Sequence, residues 1–345
     1  MQRVWLTRLG VAHPPHRIGQ EEAARRIGEA TGESRRVAAI ARGTRIRERA
    51  TVLSPGVIGG LGSIEERNGV YQRVAPELAV AASREALARA ASKQIGFLAT
   101  SSCTGYMIPG IDVEVAQRLC LAPTAVHLPI TEAGCSGGVV ALARTADFLR
   151  VHPDSSGLAV AVEICSLAFH PRTEAGNLIS ALLFGDGAGA ALLETGDDER
   201  GSLEVVDSLS FLVPDSQDAI GFALTDRGFY PVLSSDIADL LPGPMQEAVS
   251  ELLCRNALRL PDDIAFWLVH PGGPKILEAV QATFGLGDND LRWSWQAMSD
   301  FGNTSSAAIF DILHRFRADE TGRRGWGIVA GFGPGVSIEL LLVRL

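Results

Sequence analysis

The chain has no Cys-x-x-Cys pair, and its five cysteines, at 103, 120, 135, 165 and 254, are odd in number. That excludes a disulfide framework and a thiolate zinc site as organising features, and a reducing cytoplasm is the expected compartment. The first residues, Met1-Gln2-Arg3-Val4-Trp5-Leu6, lack the apolar core and cleavage site of a secretory signal. No stretch approaches the roughly eighteen apolar residues of a membrane span. Positive charge is in deficit: 31 Lys and Arg against 40 Asp and Glu leave a net charge of −9. Broad nucleic-acid binding is thereby excluded, although a local basic site for a phosphorylated ligand is not. The glycine-rich segment 183–193 lacks the Lys-Ser/Thr of a phosphate loop and runs into a strand pattern rather than a helix, so it is no nucleotide fingerprint. A soluble protein with neither nucleic acid nor membrane as partner is the expectation.

What is present is an ordinary globular composition, 46% apolar and 21% charged over 345 residues, enough for two domains. Apolar runs at 4–9, 95–100, 124–130 and 158–164 read as strands, and 19–28, 34–42, 75–92, 111–119 and 139–149 read as helices. Pro76 fits the first turn of the third helix, and 53–69 reads as a glycine-rich loop. A similar order returns after the polar stretch 196–201: strand 203–212, a long helix within 237–258, strand 264–269, helices 274–284 and 307–316, and strands 327–331 and 336–343. This alternation implies an α/β protein with a mostly parallel sheet and helices on both faces. The repeated order implies an internal duplication, with halves at 1–195 and 196–345.

Cys135 stands in the turn Glu132-Ala133-Gly134-Cys135-Ser136-Gly137-Gly138, between a strand pattern and a helix pattern. The helix N-terminus there favours a thiolate, and the glycines give a substrate access to the backbone. The competing role is a buried cysteine acting as a small apolar side chain. His270 ends an apolar strand run and is followed by Pro271-Gly272-Gly273, a turn rather than a core position. Asn303 follows Gly302 and precedes a helix, where an ordinary helix cap is the alternative. Sites in open α/β sheets gather at strand carboxyl ends. Together the three supply a sulfur nucleophile, a base for its proton and an amide donor for an oxyanion. A basic run, Arg42, Arg45, Arg47 and Arg49, is either a solvated helix end or a phosphate clamp.

Five motifs, Gly134-Cys135-Ser136-Gly137-Gly138, Leu183-Phe184-Gly185-Asp186-Gly187-Ala188, Val269-His270-Pro271-Gly272-Gly273, Phe301-Gly302-Asn303-Thr304-Ser305-Ser306 and Gly331-Phe332-Gly333-Pro334-Gly335, occur in this order. In these the chain resembles the type III polyketide synthases, the chalcone synthase-like branch of the thiolase superfamily. The likeness covers nearly the whole chain and is strongest from about residue 100 onward. The last and third motifs favour this family over the ketoacyl-carrier-protein synthases, which share the Cys-His-Asn set. The resemblance implies a thiolase-like fold of duplicated βαβ halves in α-β-α-β-α layers. It implies acyl-CoA and malonyl-CoA as substrates, a homodimer, and neither metal nor cofactor beyond the coenzyme A thioesters.

By the same resemblance, Cys135 carries the acyl group, His270 accepts its proton to form a thiolate–imidazolium pair, and His270 with Asn303 stabilises the enolate left when malonyl-CoA loses carbon dioxide. Phe184 matches a gatekeeper aromatic, Ser305 and Cys103 match cavity-lining positions, and Arg42, Arg45 and Arg47 fall near the coenzyme A phosphates. The chain departs from plant-type members in two places. Leu224 falls where they carry a second gatekeeper phenylalanine. Ile108, with Met107 before it, falls where they place a methionine that crosses the dimer. Three other readings keep some of these residues: a single-condensation synthase fed by a carrier protein, a noncatalytic homologue, and a thiol protease. The glycine-turn α/β duplication speaks against the last.

Overall fold

The computed structural model describes residues 2–54, 56, 62–88, 94–196, 202–234, 237–319 and 324–345. The first half runs β1 (Val4–Ala12), β2 (His16–Gly19), α1 (Gln20–Thr31), α2 (Ser34–Gly43), β3 (Glu48–Thr51), α3 (Ile64–Leu87), β4 (Ile95–Ser101), α4 (Ile111–Arg118), β5 (Val126–Ile130), α5 (Gly137–Val151), β6 (Ser156–Ile164), α6 (Ala175–Leu183) and β7 (Asp186–Thr195). The second half runs β8 (Leu203–Leu212), β9 (Ile220–Thr225), β10 (Gly228–Leu233), α7 (Ile237–Leu240), α8 (Pro242–Arg255), β11 (Ile264–Val269), α9 (Pro274–Phe284), α10 (Arg292–Phe301), α11 (Ala308–Ala318), β12 (Trp326–Gly333) and β13 (Ser337–Arg344).

Nine strands hydrogen-bond in the order β11-β12-β13-β8-β1-β7-β6-β4-β5. The two halves meet at β1 and β8 through only two residue pairs, Trp5↔Glu204 and Leu6↔Leu203. Alternation along the strands sorts the side chains into layers. In β6, Ala159 and Ala161 join a central core, whereas Leu158, Val160, Val162 and Ile164 join an outer one with α3. In β13, Leu341 and Val343 join the same central core, whereas Ile338, Leu340 and Leu342 face a second outer core with α8. The central core is filled by α5 and α11, including Leu142, Leu149, Phe310 and Leu313. The result is the α-β-α-β-α layering of a thiolase-like fold, with one helix from each half in the middle.

Several expectations need correction. The sheet is mixed rather than mostly parallel: only β4–β5, β4–β6 and β11–β12 are parallel, because β7 and β13 return beside β6 and β12 without crossing the sheet. The apolar run ending at Ile130 is an edge strand, not a buried one, with Val126 48% exposed. Apolar composition alone does not tell how many neighbours a strand has. Helix α3 begins at Ile64, inside the expected loop, because Ser63 and Glu66 form a reciprocal capping box; Pro76 therefore lies within the helix. Residues 55, 57–61, 89–92 and 197–201, parts of the expected loop, helix and junction, lie outside the described residues. The small hairpin β9–β10, which the sequence did not announce, forms its own two-stranded sheet. Among the described residues no helix is long and apolar enough to cross a membrane.

Candidate active site

Cys135 sits in a short 3-10 turn, Gly134–Ser136, that feeds α5. The glycines around it pack against the protein, and Gly134 also lines a cavity together with Cys135. A Cβ on Gly134, whose φ is +53°, would lie 2.6 Å from Pro334 Cδ; one on Gly137 would lie 2.1 Å from Ser101 Oγ, and one on Gly138 2.2 Å from the Ser306 carbonyl. The absent side chains let the turn press against the β12–β13 turn and against the start of α11.

Asn303 reaches the same place from the other half. Its backbone N–H donates to the Leu183 carbonyl (2.9 Å), and its carbonyl accepts from Gly185 N–H (3.0 Å), so it pairs across Phe184 as in a parallel bridge. Its side-chain oxygen accepts from Ser305 N–H (2.8 Å), a local turn bond rather than a helix cap, since Thr304 and Ala307 hold the cap positions. Its amide nitrogen donates to the Gly272 carbonyl (3.3 Å), in the turn that begins at His270, and its side chain lowers the pKa of the Cys135 thiol. The oxygen holds its own turn and the amide reaches the His270 turn.

Ser305 also lowers the pKa of the Cys135 thiol, and it adopts a left-handed φ of +50°. Its hydroxyl lies 3.7 Å from Cys103 Sγ and 3.5 Å from Glu163 Oε1. His270 follows β11, is fully buried, and has no hydrogen-bond partner at either ring nitrogen. Its backbone N–H is fixed to the Ala330 carbonyl at 2.8 Å.

Burial sets the charges. It pushes the Cys135 thiol up to about 11, a shift that hydrogen bonds from Ser305 and Asn303 oppose and the Glu163 charge reinforces. It pushes the His270 imidazole down to about 3. The expected thiolate at the helix N-terminus is overturned in direction. A helix end contributes about 0.3–1 kcal/mol, under one pKa unit at about 1.4 kcal/mol each, whereas burial can move a group by several. Neither group carries charge alone near neutrality.

Glu163, at the end of β6, was missed by the sequence reading. It is fully buried and accepts from Ser306 Oγ (2.5 Å), Thr104 Oγ1 (2.9 Å) and Cys103 N–H (3.1 Å). Burial raises its pKa and those three donors pull it back. The signal was available: one carboxylate ending an otherwise apolar strand, which is rare without partners.

A cavity opens beside Cys135 and reaches α1, with walls from Arg26, Ile27, Phe169, Ala181, Phe184 and Ser305 among others. Its volume is about 80 Å³. Phe184 and Ser305 are where the sequence placed them. Cys103 is not in the wall: its sulfur turns to Glu163 (3.4 Å), and Thr104 takes the wall position. Leu224 is not a gate. It is 65% exposed on the outer part of the hairpin, and the wall there is formed by Phe222, Pro231, Val232 and Leu233. Leu224 shares a strand face with Phe222 but lies two residues further along β9, past the part of the hairpin that lines the cavity. Nor do Arg42, Arg45 and Arg47 reach the cavity. Arg45 pairs with Glu278 (3.3 Å) and stacks on Trp295, Arg47 pairs with Asp300 (3.0 Å), and Arg42 is exposed at the end of α2. The arginines in the wall are Arg26 and Arg49.

Comparison with known proteins gives one answer. The family model of chalcone and stilbene synthases, N-terminal domain, matches residues 6–197, and that of the C-terminal domain matches 204–345. A 1,3,6,8-tetrahydroxynaphthalene synthase of Streptomyces peucetius subsp. caesius is 32% identical, covering 96% of this chain and 91% of that one. A phloroglucinol synthase of Pseudomonas fluorescens is 29% identical over 96% of both chains. The solved C-terminal type III polyketide synthase domain of Steely1 from Dictyostelium superposes with a TM-score of 0.93 at 21% identity, covering 99% of each chain.

Proposed function

The chain belongs to the chalcone and stilbene synthase family and is a type III polyketide synthase, a decarboxylating CoA-dependent acyltransferase; on that premise we propose that Cys135, His270 and Asn303 perform its two steps. In loading, the Cys135 sulfur attacks an acyl-CoA carbonyl as its proton passes to His270. The acyl group moves to sulfur and coenzyme A leaves with a proton. In extension, the carbon–carbon bond of malonyl-CoA breaks, carbon dioxide departs, and the electron pair forms an enolate held by His270 and the Asn303 amide. The enolate carbon then attacks the Cys135 thioester; a carbon–carbon bond forms and the sulfur is released. Preset donors of this kind are worth about 3–4 kcal/mol each in acyl transfer. Repeated extension and ring closure complete the product.

The observation that carries this reading is the place of Asn303: its amide donates to the Gly272 carbonyl of the His270 turn at 3.3 Å, and its side chain lowers the pKa of the Cys135 thiol. The cavity supports it, leading from Cys135 past Phe184 to Arg26 at α1 and so fitting entry of a coenzyme A thioester from that side. The proposed chemistry draws on sulfur, imidazole and amide alone and calls for no metal or further cofactor. A homodimer fits the exposed apolar side chains Tyr106 (63%) and Ile108 (80%), in the segment between β4 and α4, and Val126 (48%) on the edge strand β5. Met107 instead packs against the outer core of the first half.

The test is to supply the purified protein with malonyl-CoA and a panel of acyl-CoA starters. Free coenzyme A and pyrone or resorcinol products are expected. Asn303→Ala is expected to lose carbon dioxide release far more than acyl loading. No acylation of Cys135 by any starter would overturn the reading.

A further inference from the structure

Two buried arginines hold the cavity walls by backbone carbonyls. Arg67, in the first turn of α3, donates from Nη1 to the carbonyls of Leu167 (2.5 Å) and Phe169 (2.9 Å). Arg49, in β3, donates from Nη1 to the carbonyls of Ala181 and Phe184, the latter at 3.2 Å. The two differ in what else they touch. The stem of Arg49 lies on Gly302, where an added Cβ would be 2.9 Å from its Cγ and 3.0 Å from its Cδ. Gly302 precedes Asn303, and Asn303 is paired with Leu183 and Gly185 on either side of Phe184. One side chain therefore grips both strips that meet at the site: from above by the Phe184 carbonyl, from the side by the Gly302 backbone. It is 4% exposed, and the nearby Asp186 carboxylate, itself bonded to Val52 N–H and Ser166 N–H (2.7 Å each), offsets its charge.

We propose that Arg49 is a positioning residue for the extension step: by joining Phe184 to the Asn303 turn it fixes gate and amide relative to the Cys135 sulfur. This rests on the roles assigned above to Phe184 and Asn303. Loading depends on Cys135 and His270, neither of which Arg49 holds. Extension needs the Asn303 amide at the enolate oxygen, where a displacement of an ångström is felt strongly.

The test uses the full-length wild type, Arg49→Lys, Arg49→Met and Arg67→Lys. Acylation of Cys135 by hexanoyl-CoA is followed by intact mass, and carbon dioxide release from carboxyl-labelled malonyl-CoA is followed separately. For Arg49→Lys, loading is expected to stay within about twofold while kcat for carbon dioxide release falls about tenfold, with KM for malonyl-CoA little changed. Arg49→Met is expected to exceed that loss, and Arg67→Lys to change both steps in the same proportion. Arg49 variants that lose the two steps in equal proportion, or lose neither, overturn the proposal. If Arg49→Met does not fold, Arg49→Lys decides alone. A wild type that neither loads nor releases carbon dioxide removes the assigned function and this inference with it; an active wild type with unselective Arg49 variants removes the inference alone.

Discussion

The turns Gly134–Ser136 and Ser305–Ala307 are counterparts in the two halves. Each is a 3-10 turn, each begins with a left-handed residue (φ +53° at Gly134, +50° at Ser305), and each feeds a helix of the central layer, α5 or α11. By position, Cys135 corresponds to Ser306. In the first half that place holds Cys135, which lines the cavity. In the second it holds a buried hydroxyl that donates to Glu163 at 2.5 Å. The left-handed residue differs too. Glycine adopts that backbone freely, whereas a side chain costs about 1–2 kcal/mol there. At 134 a side chain would strike Pro334; at 305 the hydroxyl lies 3.5 Å from Glu163 and lowers the pKa of the Cys135 thiol. One backbone device, duplicated, thus presents a reactive group in one half and the hydrogen-bonding support for it in the other.

The comparison breaks most sharply at the counterpart pair. Cys135→Ala is expected to abolish acyl loading, by at least about 10³-fold, whereas Ser306→Ala keeps the nucleophile and still acquires an acyl mass from hexanoyl-CoA. Acylation of the Cys135→Ala protein at another site would end the assignment.

A smaller effect tests how the halves share a proton. Cys135 is an acid whose pKa is raised to about 11, so alone it stays protonated until strongly alkaline pH. His270 is a base lowered to about 3, so alone it stays neutral through the physiological range. With His270 as acceptor, the thiolate forms at lower pH than burial alone permits. In His270→Ala, alkylation of Cys135 by iodoacetamide is expected to slow at pH 7 and keep rising through pH 10, while the wild-type rate levels off earlier. Superimposable pH profiles would remove His270 as the base.

The smallest effect concerns the cavity walls that the halves contribute. Phe184→Ala is expected to change the product profile or the ratio of carbon dioxide released to product formed by about threefold to tenfold. Leu224→Ala, on the exposed part of the hairpin, is expected to leave both within about twofold, as surface substitutions usually do. A larger change at Leu224 than at Phe184, read by mass spectrometry of products, would return the gate to the hairpin.

The layers were legible because apolar runs of strand and helix length recur in the same order in both halves, and burial requires that order to stack. Phe184 and Ser305 were legible through their motifs, and the structure puts both in the cavity wall. Strand direction was not legible; the edge position of β5 had one signal, Pro129, which has no N–H for a second neighbour and has no counterpart in β6. Leu224 failed because the motif does not tell how far along the hairpin the cavity extends: Phe222, two residues earlier on the same face, lines it and Leu224 does not.

By itself the sequence determined the α/β class, the duplicated order of elements, and the residue types able to do sulfur, proton and oxyanion chemistry, because these follow from local pattern and side-chain identity. Tertiary structure alone decided that Asn303 serves Cys135 as well as its own turn, that Glu163 stands behind Ser305, that Arg49 grips both Phe184 and Gly302, and that burial leaves the thiol and the imidazole uncharged. Each of those depends on which atoms exclude water and which approach within hydrogen-bonding distance, quantities set by chain segments more than a hundred residues apart.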